Sequence, residues 1–192
     1  MRFLALGDSY TIGEGVAGSE RWPLRVVDAW RARGEAWDDP TYVATTGWTT
    51  GELAEGIRGT HLSPPYDRVS LSIGVNNQYQ GLGVDAYREE FGALLSTALD
   101  LAGGDPRRVI VVSIPDYGLS PFAKGRDPAR IARELDAFNA AAASVCAARG
   151  VRFVDVTGVS RQVQEGWWAA DGLHPSGRQY AAWAQAIAGA VR

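Results

Sequence analysis

The stretch "FLALGDSYTIGEG", residues 3–15, joins a four-residue apolar run to a glycine-rich loop headed by an aspartate and a serine. Four further runs of β type follow it: "TYVAT" (41–45), "RVSLSIG" (68–74), "RVIVVSI" (108–114) and "VRFVDV" (151–156). Longer helical patterns separate the five. Tyr87, Phe91, Leu94, Leu95 and Ala98 recur at helical spacing, as do Ile131, Leu135, Phe138 and Val145, and then Tyr180, Trp183, Ala184, Ile187 and Val191. Each stripe reads as a face for a core. Gly103 and Gly104 stop the pattern over 84–102, and Gly150 stops the one over 128–149. Strands alternating with helices predict βαβ units, a parallel sheet and the α/β class.

The chain has 192 residues, enough for one domain with a full core and too few for two ordinary ones, so 1–192 is expected to be a single unit. Hydrophobic residues make up 46% and charged residues 21%, as in an ordinary globular protein. The apolar run "VIVV" at 109–112 is far short of a membrane span. A net charge of -3 with no Lys/Arg cluster lacks the footprint of a nucleic-acid binder. The single cysteine, Cys146, excludes an internal disulfide and a cysteine-based zinc cluster, and in "AAASVCAARG" it reads as a small buried apolar side chain. The opening "MRFLAL" has one basic residue and too short an apolar run for a signal peptide, which predicts a cytoplasmic protein, although a trimmed secreted or periplasmic form would read the same.

In a parallel sheet with right-handed crossovers, every loop leaving the C-terminal end of a strand lies on one edge, where ligands bind. The five runs lead into "GDSYTIG", "TTGWTT", "GVNNQYQG", "PDYG" and "DGLHPSG". Ser9, Gly47, Asn76, Asp171 and His174 are therefore expected around a shared point. These are the parts of an acyl-transfer site. A serine needs a base within hydrogen-bond reach, and histidine, with an unperturbed pKa of about 6.5, is the usual one. Of the two histidines, His61 lies in the Pro-rich connection "GTHLSPPYD" and reads as a solvated loop residue. His174 has Asp171 three residues before it, a spacing at which the carboxylate accepts from Nδ1 and leaves Nε2 for the Ser9 proton. The same Asp-x-x-His reads equally as a helix N-cap followed by an incidental histidine. The N–H of Ser9, the N–H of Gly47 and the Asn76 amide are the candidate donors to an oxyanion. Asp8 reads as a brace for the loop through backbone N–H groups.

Taken together, "GDSY", Gly47, "GVNN" and "DGLHP", in that order over residues 5–177, resemble the SGNH hydrolases, also called the GDSL esterase/lipase family. The resemblance implies a three-layer α/β/α fold with a five-stranded, flavodoxin-like sheet of order 2-1-3-4-5, and a site without metal or cofactor. It implies Ser9 as nucleophile, His174 as base, Asp171 as its orienting acid, and an oxyanion hole formed by Ser9, Gly47 and Asn76. The third block departs from the family's usual Gly-x-Asn-Asp, because Asn77 stands in its last position.

Tyr10, Trp48, Tyr79, Gln80, Tyr117, Trp167 and Trp168 fall near the expected site. Aromatic walls with few charges suit a neutral ester of a small acyl group or an acylated sugar. With seven tryptophans in the chain, most are expected to plug the core. Segment 115–128 is long enough to shape or cover the site. The leading reading is a serine esterase working through an acyl-enzyme on a small-molecule ester. An acyltransferase using the same site is the near alternative. A non-catalytic flavodoxin-like module holding a flavin or phosphorylated ligand is a second, but the loop lacks the lysine and glycine spacing of a P-loop.

Overall fold

The apolar run that opens the chain forms β1 (Phe3–Gly7), and every residue in it is buried. The other strands are β2 (Thr41–Ala44), β3 (Arg68–Ser72), β4 (Val109–Val112) and β5 (Arg152–Val154) in this computed structural model, which describes residues 1–191. They pair in parallel in the order β2-β1-β3-β4-β5, the flavodoxin-like sheet implied by the resemblance. Position in the sheet explains composition. β1 and β4 have neighbours on both sides and are apolar and buried throughout, whereas the edge strands β2 and β5 fully bury only Val43 and Val154.

The paired segments are shorter than several of the apolar runs, because side chains take over the backbone groups where the strands end. Asn139 Oδ1 accepts the Ile114 N–H at 2.8 Å, and Ser113 Oγ accepts those of Val156 and Thr157 at 2.8 and 3.1 Å.

The helices are α1 (Ser9–Ile12), α2 (Trp22–Arg31), α3 (Thr50–Gly59), α4 (Val75–Tyr79), α5 (Val84–Leu101), α6 (Pro128–Ala148), α7 (Thr157–Ser160) and α8 (Gly177–Ala190). α2 packs on α8, while α5 packs on both α3 and α6, so helical layers cover the two faces of the sheet. The three apolar stripes face the core, with only Val145 left partly buried. Trp22, Trp30 and Trp183 are among its largest fully buried side chains. Cys146 is buried on α6, and burial pushes its thiol up to about 12, which keeps it an unreactive packing group. His61 is exposed. Among the described residues no helix is long and apolar enough to cross a membrane.

The register of β1 brings three loops together. Gly7 pairs with Ala44 on one side and Ser72 on the other, so β1, β2 and β3 end level with one another. The connections that leave them emerge side by side.

Candidate active site

Only a glycine lets the chain turn from β1 straight into α1. A Cβ on Gly7 would stand 2.1 Å from the Thr11 hydroxyl and 2.5 Å from the Ser72 carbonyl oxygen. Asp8 caps α1 by accepting the Tyr10 N–H at 3.0 Å, the bracing expected of it. Burial pushes the Asp8 carboxyl up to about 7, against the pull of that backbone N–H. Ser9 is the first residue of α1, where helical N–H groups have no acceptor within the helix. It is 4% exposed.

The loop after β3 is held in a similar way. Gly74 has a φ of 127°, and a Cβ there would stand 2.5 Å from the Tyr87 ring, so the entry to α4 also requires glycine. Asn76, on α4, donates its Nδ2 to the Trp48 carbonyl at 2.9 Å. The amide's second N–H remains for another acceptor. Gly47, with a φ of 87°, directly precedes Trp48.

Asn77, in the position the family usually gives to aspartate, is a buried brace. Its Oδ1 accepts the Thr50 N–H at 3.1 Å and its Nδ2 donates to the Thr50 hydroxyl at 2.6 Å, while that hydroxyl donates to Glu90. The chain of bonds ties α4 to the first turn of α3 and onward to α5. An aspartate has no N–H to offer the Thr50 hydroxyl, so the amide fits a site where Glu90 already takes the hydroxyl proton.

Before α8, the chain folds back on itself through the Ala169 N–H, which donates to the His174 carbonyl at 2.8 Å. Inside this turn Asp171 Oδ2 lies 2.6 Å from His174 Nδ1, and Oδ1 accepts the N–H groups of Leu173 and His174 at 2.8 and 3.0 Å. Asp171 caps no helix, since Ser176 caps α8; it holds the turn through the two N–H groups and partners the ring, so of the two readings of Asp-x-x-His the ring partner is the one seen. Partial burial pushes its carboxyl up, but the ring and the two N–H groups outweigh it and hold the carboxyl below its usual value. The Tyr10 ring meets the imidazole edge-on at 5.5 Å between centroids.

Ser9, Asn76 and His174 line one cavity of about 150 Å³. Asp171 stands behind the imidazole, on the Nδ1 side. Among the described residues no hydrogen bond joins the Ser9 hydroxyl to the ring, and catalytic contacts of this kind commonly tighten only once substrate is bound. Gly47 is not in the cavity lining; it is placed beside Asn76 through the Trp48 carbonyl.

Of the aromatic residues near the site, Tyr10, Tyr79 and Tyr117 line the cavity and Trp48 and Trp167 do not. The Trp48 ring lies over Gly56 of α3, where a Cβ would meet it at 2.2 Å. Trp167 is buried beneath Arg178, its carbonyl accepting from Gln179. Gln80 is the exposed residue that caps α4 at its C-terminus, and Trp168 bridges to Pro175. Val75, Phe122 and Leu173 complete the wall; Val75 and Leu173 stand inside "GVNN" and "DGLHP", though neither motif marks them as lining, and Phe122 comes from the segment expected to shape the site. Phe122 lies in segment 115–128, which is tied to the His174 turn by the Phe122 N–H donating to the Gly172 carbonyl at 3.0 Å. Among the described residues no group of three or more His, Cys, Asp or Glu side chains is placed to hold a metal ion.

A family model for GDSL-like lipases and acylhydrolases matches residues 5–182. The chain belongs to that family. As a GDSL-like acylhydrolase it is a hydrolase acting on ester bonds. No curated protein matches it. Among solved structures, TesA is similar over 100% of this chain and 98% of its own, with 16% identity and a TM-score of 0.78. A variant of Axe2, an acetyl xylan esterase from Geobacillus stearothermophilus, is similar over 99% of this chain and 94% of its own, with 20% identity and a TM-score of 0.76. The lipase/acylhydrolase from Enterococcus faecalis covers 98% of this chain and 94% of its own, at 24% identity and a TM-score of 0.71. At such identities these likenesses speak for the fold, and the GDSL-like hydrolase shares it from end to end.

Proposed function

We propose that this GDSL-like hydrolase cleaves carboxylic esters of short acyl groups, acylated sugars included, through a covalent acyl-enzyme on Ser9. The observation that carries this reading is the shared cavity of Ser9, Asn76 and His174, with Asp171 bonded to His174 Nδ1. In the first half-reaction Ser9 Oγ attacks the ester carbonyl while His174 Nε2 takes the hydroxyl proton. Asp171 fixes the tautomer and stabilises the imidazolium. The N–H of Ser9, the N–H of Gly47 and the second N–H of Asn76 receive the oxyanion. The alcohol leaves with the proton held on His174, and water, activated by the same ring, then releases the acid and restores Ser9.

The cavity walls are mostly aromatic and aliphatic and suit a neutral acyl group. A fluorophosphonate probe with peptide mapping tests the reading directly. The label is expected on Ser9 alone and is expected to vanish in His174→Ala. Near wild-type hydrolysis of p-nitrophenyl acetate by Ser9→Ala would refute it.

A further inference from the structure

Tyr79, one turn beyond Asn76 on α4, lines the cavity at Ser9 and also a second, polar cavity of about 530 Å³ beside it. Tyr117 is shared by the two cavities as well. The partition is held from both sides. From behind, the Tyr117 hydroxyl donates to Gln78 Oε1 at 3.0 Å, and Gln78 Nε2 donates to Glu134 at 2.7 Å. From the rim, the Arg126 guanidinium lies 4.9 Å from the Tyr79 ring centroid and 5.2 Å from that of Phe122, and its Nη2 donates to the Tyr79 hydroxyl at 3.0 Å. The two rings stand 6.2 Å apart.

We propose that the Tyr79–Arg126–Phe122 stack limits the acyl group to short chains, with Arg126 as the residue that positions it. The inference rests on the esterase reading above. His174 must hand its proton to the leaving oxygen, so the alcohol lies on the imidazole side and the acyl chain runs the other way, along α4 from Asn76 to Tyr79. The cavity of about 150 Å³ at Ser9 holds roughly five non-hydrogen atoms at about 30 Å³ each, an acyl group of up to about four carbons. A longer chain meets the Tyr79 ring. Both Tyr79 and Phe122 are large exposed apolar side chains, and neither is locked by core packing. Arg126 therefore supplies the cation–π contacts and the hydrogen bond that keep the partition shut. Beyond the partition, Leu82, Ile131 and Phe138 of the larger cavity offer apolar surface to a chain that gets through.

The test compares kcat/KM for p-nitrophenyl acetate, butanoate and octanoate in the full chain. The wild type is expected to favour acetate and butanoate over octanoate by at least about ten-fold. Arg126→Ala is expected to raise the octanoate-to-butanoate ratio by about ten-fold, and Arg126→Lys, which keeps a cation at the rings, to stay near the wild-type ratio. Phe122→Ala probes the other member of the stack and is expected to shift the ratio the same way. A wild type that takes octanoate as readily as butanoate overturns the barrier alone, as do variants that lower all three esters in equal proportion. A wild type inert to every ester and unlabelled by fluorophosphonate removes the esterase reading, and the barrier with it.

Discussion

The side-chain amide of Asn76 donates to the carbonyl of Trp48 across 2.9 Å, joining the loop after β3 to the loop after β2. One N–H of the amide sets the spacing between Asn76 and Gly47, and in the proposed mechanism the other receives the oxyanion. Asn76→Ala removes the tie and the donor together. The expected result is a fall in kcat of about 10²- to 10³-fold with KM near the wild-type value, measured on p-nitrophenyl acetate. A change confined to KM would place Asn76 in ground-state binding instead.

In the proposed mechanism Asp171 acts through His174, whereas Ser9 carries the acyl group itself. The two substitutions should therefore differ in depth. Asp171→Asn is expected to lower kcat by about 10⁴-fold and Ser9→Ala by about 10⁶-fold, both read in steady-state assays. Equal losses would mean that the imidazole does nothing without its carboxylate.

Asp8 links the α1 cap to pH. Folded, its carboxyl keeps a proton up to about pH 7, while the unfolded aspartate loses it near 3.8. Between those values the unfolded chain releases a proton that the folded chain retains, so this group's contribution to stability falls as pH rises through that window. Asp8→Asn keeps an acceptor for the Tyr10 N–H and abolishes the titration. In urea denaturation followed from pH 4 to 8, the variant should gain on the wild type by up to about 4 kcal/mol across the range. A difference that stays constant with pH would mean that the folded carboxyl is ionised throughout.

The Asn77 brace makes a prediction about the family's usual residue. Asn77→Asp sets a second carboxylate against the Thr50 hydroxyl that already donates to Glu90, and is expected to destabilise the fold by about 1–3 kcal/mol at pH 8. Adding Glu90→Gln removes the competing charge and should restore most of the loss, as a double-mutant cycle in chemical denaturation would report.

The strands were legible because a parallel strand buried on both faces is a short apolar run, and the long helices because their stripes face one core. The placement of Ser9, Asn76 and His174 in one cavity followed from topology alone, since loops leaving parallel strands share an edge. The lining itself was less readable. Trp48 and Trp167 sit beside site residues in the chain, yet their rings turn away, one over Gly56 and the other beneath Arg178. Phe122, in the segment 115–128 expected to shape the site but not itself singled out, reaches the cavity where its N–H is held by the Gly172 carbonyl. Side-chain direction depends on such tertiary contacts, which sequence spacing does not encode. The short helices α1 and α4 carry too few residues to show a period.

The seam between β3 and β4 divides the chemistry as well as the sheet. The exposed Gly103–Gly104 turn lies on this crossover, with Ser9 and Asn76 encoded before it and His174 after it. Cleaved there, each fragment keeps only part of the proposed machinery and neither hydrolyses esters alone, so recovered turnover on mixing would report reassembly. The same division means that a chain still on the ribosome acquires the proposed base only after the strand that leads to Ser9 and its neighbours have emerged.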